Sequence, residues 1–98
     1  MSSESDPTGS DPPAAGALVF PTDFPIKIMG HNRLEFEPQM IAIVRSHAPD
    51  LDLSTVEVRQ SRAGKYLSLT VTVRAQSRAQ LDAIYLELTR HPWVKVVL

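Results

Sequence analysis

The amino-acid sequence predicts an α+β fold of β-α-β-β-α-β order: a four-stranded sheet carrying two helices on one face. Three observations predict it. Residues 55–59 and 66–74 alternate strictly between apolar and polar side chains, the period-2 pattern of half-buried strands. The segments beginning at Phe36 and Leu81 instead repeat their apolar residues at helical spacing. Short apolar runs at 26–29 and 94–98 supply a strand at each flank. Two βαβ-like halves joined by a hairpin make the ferredoxin-like sandwich.

Each element has its own local justification. Leu18, Val19 and Phe20 open the ordered part, and the prolines at 21 and 25 forbid a helix there, so residues 18–25 read as an extended lead-in. Ile26-Lys27-Ile28-Met29 reads as a short strand ended by Gly30, a residue that permits an unusual backbone. Phe36, Met40, Ile43, Val44 and His47 form one stripe of a helix beginning near Glu37, with Pro38 tolerated in the first turn and Ala48-Pro49 closing it. The connection 60–65 between the two alternating segments is polar and holds Gly64, as a longer hairpin loop requires. Ser77 with Gln80 is a capping-box pattern, and behind it Leu81, Ile84, Tyr85 and Leu88 form the second stripe, ended by His91-Pro92. Parity then sorts the strands. Val56, Val58, Leu67, Leu69, Val71 and Val73 should meet the helices, while Glu57, Arg59, Ser68, Thr70 and Thr72 should line an open face.

Composition excludes several classes of function. The 10 Lys and Arg against 11 Asp and Glu leave a net charge of -1, which lacks the basic excess of a nucleic-acid or anionic-membrane coat. Cys is absent, so there is no disulfide framework, thiolate zinc site or thiol nucleophile. No apolar run approaches the roughly 18 residues of a membrane span. Glu4, Asp6 and Asp11 lie in residues 1–17, which hold no basic residue and are rich in Ser, Pro, Gly and Ala. That composition predicts a disordered acidic tail ahead of a domain over 18–98. It has no basic start and apolar core of a signal peptide, which makes the cytoplasm the expected address. A domain of this size with one core layer is marginally stable, so a homodimer through the open face or a sheet edge such as 94–98 would help it.

Candidate chemistry is sparse. There is no nucleophile elbow, and His31, His47 and His91 are scattered without metal-ligand spacing, the latter two at helix C-termini that favour them. Asp50 and Asp52 read as turn formers. No cofactor or metal is predicted, and no enzyme. Two surfaces remain. The loop Gly30, His31, Asn32, Arg33 lies between the first strand and helix, where a glycine lets a ligand approach and free N–H groups can hold a carboxylate. The central hairpin carries Arg59, Arg62, Lys65, Tyr66 and Arg74 with only Glu57 to balance them. RNA binding through that hairpin is the alternative reading, weakened because Tyr66 is its sole aromatic and base stacking needs more.

Phe20-Pro21, Phe24-Pro25-Ile26-Lys27-Ile28-Met29-Gly30, His47-Ala48-Pro49, the run 61–71 and the ending 94–98 together resemble the YbeD family of small bacterial proteins of unknown function. The resemblance covers residues 18–98; Pro38 is a local departure at the start of the helix. It implies a ferredoxin-like domain similar to the ACT-type regulatory domains, no transferable catalytic residues, and an association with lipoate attachment. The expected function is therefore recognition without turnover: a regulatory or adaptor module for a small metabolite or a protein partner.

Overall fold

The computed structural model describes residues 18–98. The stretch 1–17, expected to be a disordered tail, lies outside the described residues. The elements are β1 (Thr22–His31), α1 (Phe36–His47), β2 (Glu57–Gln60), β3 (Tyr66–Ala75), α2 (Arg78–Arg90) and β4 (Val94–Val97). The four strands form one antiparallel sheet of order β2-β3-β1-β4, with the first and third strands central.

Two boundaries differ from the sequence reading. β1 begins at Thr22, four residues before the expected strand, and runs through Pro25. Pro25 pairs with Thr72 of β3 without costing a ladder bond. The N–H of Lys27 donates to the carbonyl of Leu98 on the β4 side; two residues earlier the missing N–H of Pro25 points the same way, past the last β4 rung among the described residues. The second strand starts at Glu57 rather than at residue 55, because Leu53–Thr55 form a 3₁₀ turn. The Asp52 carboxylate accepts from both the backbone N–H and the hydroxyl of Ser54, and the Thr55 hydroxyl donates to the Asp52 carbonyl. These local bonds outcompete the strand that the Val-rich pattern suggests. They also hold the Asp52 carboxyl below its ordinary range.

The core lies between the sheet and the two helices. Ile26, Ile28, Leu69, Val71 and Val73 on the sheet meet Phe36, Met40, Val44, Ile84 and Leu88 on the helices, all fully buried. Parity fails at one position. Val58 points to the helix side but is 42% exposed, because the helices pack over β1, β3 and β4 and leave the edge strand β2 uncovered. α1 starts at Phe36, so Pro38 occupies its third position, where a missing N–H leaves no intrahelical bond unmade. At the start of α2 the Ser77 hydroxyl accepts from the Gln80 N–H at 3.1 Å. The Gln80 side chain accepts in turn from the Gln76 N–H and donates to the His47 carbonyl at 2.8 Å, so one residue caps α2 and ties it to the end of α1. His47 itself lies 2.7 Å from Glu87 of α2. No helix among the described residues is long and apolar enough to cross a membrane.

Candidate functional site

The two surfaces read separately from the sequence meet at one end of the domain. β1 ends at His31, opposite Tyr66, the first residue of β3. Their rings face each other at 5.9 Å between centroids. The next residue makes the join. Asn32 donates its backbone N–H to the Lys65 carbonyl at 3.1 Å and its side-chain amide to the Gly64 carbonyl at 2.7 Å. Gly64 can present that carbonyl because it adopts φ 74°, the left-handed conformation that glycine tolerates. The loop after β1 and the tip of the hairpin are thus one surface.

Arg33 extends the surface toward the helices. Its guanidinium lies 4.7 Å from the centre of the Trp93 ring, a cation–π contact. Trp93 is held in turn by His91, whose ring packs edge-on at 5.0 Å and whose Nδ1 accepts the Trp93 backbone N–H. With Nδ1 accepting, Nε2 carries the proton and donates to Gln39 of α1 at 2.9 Å. No pattern in the sequence marks this pair, since Arg33 and Trp93 are far apart in the chain and neither segment's period sets them out.

Gly30 has a different role from the one its position suggested. It lies inside β1, buried, and Gly64 is the glycine with positive φ among the described residues. A Cβ on Gly30 would collide with the Trp93 carbonyl oxygen and the Phe36 ring. The close approach that glycine permits is made by the protein's own core, at a register shift between β1 and β4 where the His31 N–H donates to that same carbonyl. Of the loop, therefore, His31, Asn32 and Arg33 face the surface and Gly30 does not.

The basic hairpin also divides. Arg74 sits at the far end of β3, 3.2 Å from Asp23 of β1, and leaves the basic group. Arg59 shares a shallow depression of about 270 Å³ on the open face with Lys27, Glu57, Ser68 and Thr70. Among the described residues, Lys27, Arg33, Arg59, Arg62 and Lys65 make no ion pair. The cations at this end of the domain have hydroxyls and an aromatic pair beside them, a composition suited to holding a carboxylate or phosphate group. Among the described residues there is no group of three or more His, Asp or Glu that could hold a metal ion.

A family model described as a protein of unknown function, DUF493, matches residues 16–98. The chain belongs to this family. It is 52% identical over 81 residues to a UPF0250 protein of Nitrosomonas europaea, covering 83% of this chain and 93% of the relative. It is 50% identical over 96 residues to a UPF0250 protein of a Janthinobacterium strain, covering 98% and 99%. The DUF493 matches agree with the YbeD-type resemblance read from the motifs. Among solved structures, the ACT domain from the GTP pyrophosphokinase of Chlorobium tepidum superposes with a TM-score of 0.60 over 79% of this chain and 97% of that domain. At 18% identity that likeness shows the fold, and it agrees with the sandwich derived from the periodicities.

Proposed function

We infer that this DUF493 domain is a non-catalytic regulatory or adaptor module, which binds an anionic small metabolite or a protein partner at the end where residues 31–33 meet the hairpin tip. The observation that carries this reading is the pair of hydrogen bonds that Asn32 donates to the Gly64 and Lys65 carbonyls. It fixes two loops against each other and holds Arg33, Lys65, His31 and Tyr66 on one prearranged surface, which lowers the ordering cost of binding. Other titratable groups are engaged structurally: His47 with Glu87, His91 with Gln39 and Trp93, Asp52 with Ser54. Likeness in fold to a domain carried by an enzyme supports a regulatory role for a small sandwich of this kind. The lipoate association implied by the YbeD resemblance names the first partners to try, a lipoyl-bearing or lipoate-transferring protein.

The test is calorimetric titration of the purified protein with amino acids, carboxylates, phosphates and those protein partners, repeated with Arg33→Ala. The reading expects one of these ligands to bind and Arg33→Ala to weaken it about tenfold, the loss of one charge-assisted hydrogen bond. RNA oligomers in the same series test the alternative. Salt-sensitive RNA binding with no response to any other ligand would replace this reading.

A further inference from the structure

The largest unpartnered feature is the open face of the sheet, and its charge is polarised along the strands. At the Thr22 end, Asp50 and Asp52 share a depression with Asp23, Thr72 and Arg74, where Asp23 and Arg74 neutralise each other. At the other end lies Arg59, with Arg62 and Lys65 beyond it, and none of the three makes an ion pair among the described residues. The register separates the two ends. Thr72 sits opposite Pro25, whereas Arg59 lies in line with Ser68 and Met29, four residues further along β1. That is about 13 Å at the ordinary rise of a strand. Between them, Lys27, Thr70 and Glu57 form one row across three strands, so the central row carries one charge of each sign. Exposed Val96 and Leu98 add apolar surface along the β4 side of the same face.

We propose that this face is covered by the same face of a second copy, antiparallel about a two-fold axis that runs parallel to the sheet, midway between the two faces, and passes over β1 near Lys27. An axis running across the strands sets the Asp50–Asp52 end of each copy on the Arg59–Lys65 end of the other, and symmetry makes that contact twice. An axis running along the strands would instead set each end over the same end of the other copy, so that no acidic end meets a basic one. A partner of single charge would meet repulsion at one end. The ten-residue strands and four-strand width give a face of on the order of 500 Å² per copy, near 1,000 Å² in total and at the low end for a specific interface. The dimer is therefore concentration-dependent and weakened by salt. The dimer face overlaps the proposed recognition surface at Lys65, but Arg33, the residue that tests that reading, lies with Trp93 on the helix-side rim, with Trp93 held through His91 to α1.

Sedimentation equilibrium of the full chain, with Asp50→Lys, Arg59→Glu and an equimolar mixture of the two, tests this directly. Both side chains are exposed, and circular dichroism checks that each variant keeps its helices. The wild type should dimerise at low salt, and each single reversal should weaken the dimer at least about tenfold by bringing like charges together at both contacts. The mixture should restore it, because a heterodimer of the two variants pairs Glu with Lys at one contact and the native Arg with Asp at the other. A wild type that stays monomeric to millimolar concentration overturns the proposal. So do single variants that dimerise as well as the wild type, and a mixture no tighter than its components. The Arg33→Ala titration is unaffected by any of these results, so the two readings fail separately.

Discussion

Leu69 and Thr70 are neighbours on β3 and face opposite worlds. Leu69 is fully buried beneath the helices, whereas Thr70 lines a shallow depression among Lys27, Glu57 and Arg59. The same division holds along both central strands: one face is packed at the density of a protein interior, the other is polar and uncovered. The buried contacts of the sheet lie on the first face, and the second leaves its side chains open to solvent. The division also teaches where glycine matters. Gly30 belongs to the packed face, and Gly64 shapes the hairpin tip that Asn32 holds.

Truncation on the packed face should have the largest effect. Leu69→Ala is expected to cost about 3 kcal/mol through lost burial and the cavity left behind, whereas Thr70→Ala next to it should stay within about 0.5 kcal/mol. Urea denaturation of the two variants measures the contrast, and similar losses from both would break it. Gly30→Val should cost a comparable amount, about 3 kcal/mol, because its side chain must displace the Trp93 carbonyl or the Phe36 ring. A thermal melt near that of the wild type would show that the core yields there. Asn32→Ala should cost less, about 1 kcal/mol for the bond to the Gly64 carbonyl, and hydrogen exchange should quicken in the hairpin tip. The smallest effect is one of pH. The Asp52 carboxyl is held low by the Ser54 hydroxyl and N–H, so its contribution is present above the ordinary carboxylate range and fades as pH falls through its lowered folded value. Comparing melts of the wild type and Asp52→Ala should show a small difference at neutral pH that disappears in acid.

Most of the fold was legible because local and global patterns agree. The stripes of α1 and α2, the alternation of β3 and the cap at Ser77 each point to the structure that forms. The failures have specific causes. Pro25 disguises a strand, because a proline is harmless only where the neighbouring strand has already ended, and that depends on where Leu98 lies. Residues 53–55 look like the start of a strand until Asp52 and Ser54 bind each other. The site was half legible: His31, Asn32, Arg33, Lys65 and Tyr66 stand out by type and position. Their union does not, since it rests on tertiary bonds from Asn32 to the hairpin and on Trp93 arriving beneath Arg33. Arg74 illustrates the converse, a cation grouped by sequence with the hairpin that the register places beside Asp23.

In the function proposed above, the loop after β1 and the hairpin tip act as one recognition surface. Nitrogen-15 correlation spectra recorded while titrating the ligand or partner found by calorimetry test it most directly. The amides of His31, Asn32, Arg33, Lys65 and Tyr66 should shift together along one binding curve, and Asn32→Ala should uncouple them. Shifts confined to α1 and α2, or to one loop while the other stays unmoved, would contradict it.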